Sequence, residues 1–199
     1  MEKVVLVTQE NNIVMKDILS SIGENMVDKM ADALVEITRF ADSTVKYPEL
    51  DNVKQDNGVM PEWFYPIYNG VNGFSELDAI HLYTSQEQKF EPIGNLLLGI
   101  ALVEMKHYGI LGELIIKLGG RIEQRYNNSK VSLGETKEEA LNNAIDAENK
   151  TIEFYEGVIE KIKGVRETKT TIIVVQLVNK LIADERVHLK LLKEQKDNL

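Results

Sequence analysis

The sequence predicts an all-α protein whose C-terminal part is a four-helix bundle. Only four of the 199 residues are proline, and apolar residues recur over long stretches at the three- and four-residue spacing of amphipathic helices. The hydrophobic fraction of 43% and the charged fraction of 28% suit a globular domain with a sizeable core. We divide the chain into an N-terminal helix and loop extension, residues 1–70, and the bundle, residues 71–199.

Composition argues against several functional classes. The net charge of -9 and the lack of a local basic patch argue against a nucleic-acid partner. The absence of cysteine removes disulfides, thiolate zinc sites and iron–sulfur clusters. The sequence contains neither a signal-like N-terminus nor an apolar run of about 18 residues. We therefore expect no membrane partner and a cytoplasmic location.

The extension contains one helical pattern and one irregular stretch. From about Ile13 to Phe40 the apolar residues follow a helical spacing. Residues 41–73 hold three of the four prolines and the only tryptophan, which predicts an ordered loop. Its aromatic residues are expected to cover an apolar surface; they are Trp63, Phe64, Tyr65 and Tyr68.

Four helical segments follow the extension. They span about residues 73–90, from Pro92 to Gly119, 136–163 and 167–195. The connector between the second and third segments can stretch to about 56 Å at ~3.3 Å per residue. The second helix is shorter, roughly 39 Å at ~1.5 Å per residue. The connector can therefore cross the whole bundle and make these two helices parallel.

A Glu-x-x-His pair occurs twice, at Glu104 and His107 and again at Glu185 and His188. Residues three apart lie on one helix face, so each pair directs a carboxylate and an imidazole to the same side. Both pairs interrupt apolar stripes, and a surface ion-pair interpretation would expose those stripes. Since burying an unpaired charge costs several kcal/mol, the pairs need partners or a metal.

Hairpin geometry selects a third carboxylate for the first hairpin. Residues at equal height in an antiparallel hairpin are equidistant from its turn, and the midpoint between Glu76 and His107 falls beside Pro92. Glu87 would instead place the turn inside Leu96–Leu98, so it is a second-choice ligand or a polar neighbour. Glu76 could alternatively only favour the start of a helix.

The same argument selects Glu148 for the second hairpin. The midpoint between Glu148 and His188 falls beside the polar run 164–168. An ion pair with a basic residue is the alternative role for Glu148. Tyr83 and Tyr155 are expected near the ligands, as core tyrosines or as redox partners. Asp184 could orient a ligand histidine, since such histidines usually donate their second N–H to a carboxylate or carbonyl, or it could be solvated.

The candidate ligands carry the charge and donor types of a two-metal centre. They are Glu76, Glu104, His107, Glu148, Glu185 and His188. Four carboxylates and two neutral imidazoles sum to about -4, which two divalent cations cancel; without metal, such close carboxylates cannot all stay ionised. Oxygen and imidazole donors without sulfur suit iron or manganese and do not choose between them. We therefore predict two iron or manganese ions.

These motifs resemble the ferritin-like superfamily over about residues 71–199. The matching stretches are Ser75–Ile80, Val103–His107, Ala147-Glu148 and Asp184–His188. The nearest branches are rubrerythrin-like proteins and the manganese catalases with their spore-coat relatives. The resemblance implies a ferritin-like bundle, a dinuclear iron or manganese centre, and peroxide or dioxygen as reaction partner. Because storage ferritins usually lack the second Glu-x-x-His, it also favours a redox catalyst.

Two departures from rubrerythrins qualify this resemblance. The chain has no cysteine for a cysteine-ligated iron domain, and Thr151 stands where rubrerythrins carry a further glutamate. The expected function is a rubrerythrin-like peroxidase, fed by an external electron donor, or a manganese-type catalase. The alternatives are an iron-binding or iron-storage ferritin-like protein and a non-catalytic coat-like protein. We expect a homo-oligomer, with a dimer first among the possibilities.

Overall fold

All regular structure in the described part of the chain is helical. The computed structural model of the protein describes residues 37–55, 58–91, 93–122 and 131–199. Its α-helices are α1 (Tyr65–Asn69), α2 (Glu76–Lys89), α3 (Gly94–Lys117), α4 (Lys137–Lys163) and α5 (Lys169–Asp197). The all-α prediction is confirmed, and α2 to α5 match the four expected segments. The helix expected from about Ile13 lies mostly outside the described residues.

Side-chain caps fix where three of the bundle helices begin. Ser75 accepts a hydrogen bond from the backbone of the first turn of α2, and Thr136 does the same for α4. Thr168 and Thr171 form a reciprocal capping box at the start of α5. Each cap satisfies a backbone N–H that a helix start leaves without a partner. The caps therefore set the register of the residues that follow.

Contacts between α2 and α4 establish the direction of the helices. The Nε2 of Gln86, late in α2, donates to the carbonyl of Ala140 near the start of α4. At the other end, Thr151 donates to the carbonyl of Phe74, just before α2. Helices α2 and α4 are thus antiparallel. Since α2 and α3 form a hairpin, α3 and α4 are parallel, as the expected crossover requires.

The core consists of two apolar clusters with a polar layer between them. Along α3, Ile100 belongs to one cluster and Leu111 to the other. Along α5, Ile182 and Leu192 are divided in the same way. Both Glu-x-x-His pairs lie in the interval. The packing therefore places them in the interior, with apolar side chains at each end.

The stretch Phe40–Leu50, which we call the strap, and the region after it pack on the bundle. Phe64 and Tyr68 are buried in the core, as expected for the aromatic residues of this region. The prediction of a loop throughout 41–73 is wrong at α1, where Tyr65–Asn69 form a helical turn with proline near its start. No helix in the described ranges is long and apolar enough to cross a membrane.

Replacing Gly99 by alanine is expected to destabilise the protein by about 0.5–2 kcal/mol. A Cβ on Gly99 would lie 2.2 Å from the ring of Phe40, which begins the strap and is buried. Displacing a buried phenylalanine costs roughly 1.5–3 kcal/mol, more than the ~1 kcal/mol that alanine gains over glycine in a helix. Urea unfolding measures the difference.

Gly157→Ala is the matched control for this substitution. Gly157 also lies within a helix, and a Cβ there meets no atom within 4 Å. The control is expected to be neutral or stabilising by up to about 1 kcal/mol. Equal effects at the two positions would contradict the proposed packing of Phe40 on Gly99.

Candidate metal centre

The six side chains expected as ligands converge in one buried cluster between the four long helices. Helix α2 carries Glu76, and α4 carries Glu148, while α3 and α5 each contribute one Glu-x-x-His pair. None of the six is more than 2% exposed. Glu87 is buried too, but it belongs to neither of the ligand groups described next.

The cluster comprises two overlapping groups, in each of which four potential ligand atoms lie within 4.8 Å of one another. The first group is Glu76, Glu104, His107 and Glu185, and the second is Glu104, Glu148, Glu185 and His188. Two carboxylates, Glu104 and Glu185, belong to both groups. Each of the other residues belongs to one group.

The shared carboxylates face both histidines. Oε2 of Glu104 lies 2.9 Å from Nδ1 of His107, and its Oε1 lies 3.1 Å from Nδ1 of His188. Oε1 of Glu185 lies 3.1 Å from Nδ1 of His107, and its Oε2 lies 2.9 Å from Nδ1 of His188. Each carboxylate therefore has one oxygen in each half of the cluster, the geometry of a bridge.

The arrangement fits cations better than it fits hydrogen bonds alone. Oε2 of Glu76 lies 3.5 Å from Nδ1 of His107, and Oε2 of Glu148 lies 3.7 Å from Nδ1 of His188. Nδ1 of each histidine thus has three carboxylate oxygens nearby, while one N–H has only a single proton to donate. Carboxylate oxygen with imidazole nitrogen is also a donor set that iron and manganese accept.

Burial and mutual repulsion shift the pKa values of the outer carboxylates upward. The pKa of Glu76 lies well above its ordinary value because the group is buried and faces the charge of Glu104. The pKa of Glu148 is raised by burial and by the charge of Glu185. Without a cation these two carboxyls are therefore inclined to hold protons.

The pKa values of the histidines and of the shared carboxylates shift in the directions expected for ion pairs. Burial favours a neutral imidazole, but carboxylate charges outweigh it and raise the pKa of His107 and of His188 well above the usual range. Burial likewise opposes ionisation of Glu104 and Glu185, yet the neighbouring histidines lower the pKa of both carboxyls. Protons on the histidines thus supply the positive charge that a metal would otherwise bring.

Two tyrosines bind the outer carboxylates from across the bundle. Tyr83 of α2 donates to Oε1 of Glu148, and Tyr155 of α4 donates to Oε1 of Glu76. In both helices the tyrosine lies seven residues after the glutamate. Burial and the adjacent carboxylates raise the pKa of each phenol. Both tyrosines therefore remain neutral donors that orient the carboxylates.

Asp184 contacts a candidate ligand from outside the cluster. Its Oδ2 lies 3.2 Å from Nε2 of His107 and accepts a hydrogen bond from the Tyr47 hydroxyl at 2.6 Å. Its Oδ1 accepts from Lys180 Nζ at 2.5 Å and from the backbone N–H of Asp42 at 2.6 Å. Burial opposes ionisation, but His107, Lys180 and Tyr47 lower the pKa of Asp184 to about 2.

Sequence reasoning missed Lys180 and Tyr47. Lys180 is 2% exposed and lies one helical turn before Asp184. A lysine in a buried stripe, four residues from an aspartate, is a detectable signal of an internal ion pair. Tyr47 carried no such signal, because its partner lies 137 residues further along the chain. Thr151 donates to a backbone carbonyl and belongs to neither ligand group.

Comparison with known proteins identifies the fold. A family model, the ferritin-like domain, matches residues 76–199. A crystal structure of BfrA from Mycobacterium tuberculosis is 19% identical, with a TM-score of 0.58 over 70% of this chain and 85% of that one. A second structure, of the bacterioferritin BfrA from the same organism, has the same identity and TM-score over 72% and 87%. No curated protein matches the sequence.

These matches correct the expected activity. The expectation of a rubrerythrin-like peroxidase or a manganese-type catalase is wrong. The two solved structures reported above are of a bacterioferritin, which fits the alternative of an iron-binding ferritin-like protein better. The family model covers more than half of the chain, and the bundle carries the buried carboxylate and histidine cluster. The chain therefore belongs to the ferritin-like domain family.

Proposed function

We propose that this protein binds iron at the buried centre, two ions per chain, and serves in iron storage. The observation that carries the proposal is the sharing of Glu104 and Glu185 between two groups of four potential ligands. A carboxylate with one oxygen in each group can hold two cations side by side. Each ion would further have one carboxylate and one imidazole of its own.

The charges in the centre support two divalent ions. Four ionised glutamates and two neutral histidines sum to about -4 in the buried interior, where uncompensated charge is costly. Two ferrous ions would cancel that charge and release the protons that the cluster otherwise holds. The donor set alone accepts iron or manganese, and the similarity to bacterioferritins favours iron.

The surrounding residues would keep the ligands ready for the ions. Tyr83 and Tyr155 each fix one outer carboxylate, so these side chains need little reordering when an ion arrives. The apolar layers at both ends of the centre limit water, which strengthens the attraction between cation and carboxylate. Iron is the cargo here, and the chain supplies its binding site.

Binding is tested on the full chain under anaerobic conditions. Calorimetric titration with ferrous iron is expected to give two bound ions per chain, and metal analysis of protein purified without added metal should find iron in excess of manganese. Failure to bind ferrous iron would overturn the proposal. A centre that retains manganese and loses iron in competition would overturn the choice of metal.

Storage is tested separately from binding. After loading with excess iron, the protein is passed through a sizing column while iron and protein are measured in each fraction. A storage protein is expected to elute as a large assembly with many more than two iron atoms per chain. A dimer that retains two per chain would contradict storage and leave iron binding intact.

A further inference from the structure

The two halves of the metal centre differ in how their histidines are supported. Nε2 of His107 faces Oδ2 of Asp184 at 3.2 Å. Nε2 of His188 is buried and has no hydrogen-bond partner among the described residues. Asp184 directly precedes the glutamate of its own Glu-x-x-His pair, and in the other pair that place is taken by Val103. The side chain of valine cannot accept a hydrogen bond, so the two Glu-x-x-His segments differ at this position.

The strap holds Asp184 in place. Lys180 donates both to Oδ1 of Asp184, at 2.5 Å, and to the carbonyl of Asp42, at 2.6 Å. The backbone N–H of Asp42 and the hydroxyl of Tyr47 complete the contacts of the carboxylate. Both oxygens of Asp184 are therefore engaged by groups that prevent its rotation. The strap thus reaches a residue that touches a ligand.

A fixed carboxylate at Nε2 determines which nitrogen of the imidazole keeps its proton and how the ring is oriented. It holds the proton of Nε2 when an ion displaces the proton of Nδ1, so that the lone pair of Nδ1 is directed at the centre. It also fixes the ring orientation and increases the basicity of the ligand. For His188 no described group holds the proton of Nε2, so nothing fixes which ring nitrogen loses its proton when an ion arrives. The half around His107 is therefore better prepared.

We propose that Asp184, held by the strap, is a positioning residue that makes the half of the centre around His107 bind the first metal ion. The proposal rests on the proposed function, because it concerns the order in which that centre fills. Losing an outer partner of a ligand histidine typically lowers metal affinity about 10- to 100-fold. The two binding steps of the unaltered chain are expected to be separated by a ratio of that order.

Crystals of the unaltered protein test the order directly. They are equilibrated anaerobically with one equivalent of ferrous iron per chain, and anomalous scattering is measured at the iron edge. The stronger peak is expected beside Nδ1 of His107. Equal peaks in the two halves, or a stronger peak beside His188, would overturn the inference. This experiment needs no variant, so it does not depend on how any substitution folds.

Asp184→Asn tests the role of the carboxylate. Calorimetric titration of this variant with ferrous iron is expected to show a first step weakened about 10- to 100-fold and a second step near its original affinity. The variant also leaves Lys180 buried without its ion pair, so its stability will fall. General destabilisation would weaken both steps, and equal weakening of both would contradict the proposal.

Asp146→Asn is the control variant. Asp146 makes a lysine ion pair at 2.5 Å with the same four-residue spacing as Asp184, but on the surface of α4. Its substitution is expected to leave both steps unchanged. Two iron-binding steps of equal affinity in the unaltered chain would contradict only the inference on the order of binding. Absence of iron binding would contradict the proposed function as well.

Discussion

Replacing Glu185 by glutamine is expected to weaken the binding of both ions, each on the order of 100-fold or more. Glu185 has one oxygen near each histidine, at 3.1 Å from Nδ1 of His107 and 2.9 Å from Nδ1 of His188. An amide provides one neutral oxygen and an NH2 group that repels cations. Losing even an outer partner costs about 10- to 100-fold, so losing a charged ligand should cost at least the upper end of that range.

Glu76→Gln distinguishes a shared ligand from an ordinary one. Glu76 belongs to one of the two ligand groups, so its substitution is expected to weaken one ion strongly and the other little. Glu153→Gln, on the exposed surface of α4, is the control and should change neither step. Anaerobic titration with ferrous iron measures all three variants. A Glu185 variant that loses one ion only would show that this carboxylate does not bridge.

The periodicity of the sequence was sufficient to locate most of the centre. The spacing of Glu104 and His107 within an apolar stripe, repeated at Glu185 and His188, places four side chains in the interior. The turn positions add Glu76 and Glu148. The positions of these side chains could be predicted because helix geometry is local, and a hairpin relates two helices through a short turn.

The contacts around Asp184 were beyond this reasoning. The partners of that carboxylate include Tyr47 and the backbone of Asp42, which lie more than one hundred residues earlier in the chain. The strap forms no regular structure there, so no periodic signal reports where it packs. Only the buried Lys180, in the same helix as Asp184, was detectable from spacing.

The expected reaction was wrong for a different physical reason. Two Glu-x-x-His pairs determine which ions can bind, since carboxylates and imidazoles select for charge and hardness. They do not determine what happens to a bound ion. That outcome depends on the access of reactants to the ion, on the supply of electrons and on the assembly of subunits. The spacing of six ligands in the sequence predicts none of these. The donor set therefore identifies the metal-binding chemistry and not the use made of it.

Metal-free protein is expected to lose stability as the pH rises. Burial and neighbouring carboxylates raise the pKa of Glu76 and Glu148 above the ordinary 4.5, and carboxylate charges raise that of His107 and His188 above 6.5. A group with a raised pKa contributes stability that is complete below its ordinary pKa. That contribution is lost as the pH rises through the folded-state value.

Glu104 and Glu185 determine how the stability of the metal-free chain changes in acidic solution. The histidines lower the pKa of Glu104 and Glu185 below 4.5, so the stability contributed by these carboxyls is lost as the pH falls below that value. The metal-free chain should therefore be most stable at mildly acidic pH. Thermal unfolding in a chelator, from acidic to alkaline pH, measures this profile.

Bound iron should counteract the loss of stability that the metal-free chain shows at alkaline pH. The ions replace the protons of the cluster, so binding releases protons and strengthens as the pH rises. Free iron at about 1,000 times its dissociation constant adds roughly 4 kcal/mol of stability, and this gain should be largest where the metal-free chain is weakest. Glu148→Gln removes one of the titrating carboxyls and should flatten the metal-free profile. If the metal-free chain remained equally stable in alkaline solution, this would contradict the close packing of ionisable side chains from which the metal centre is inferred.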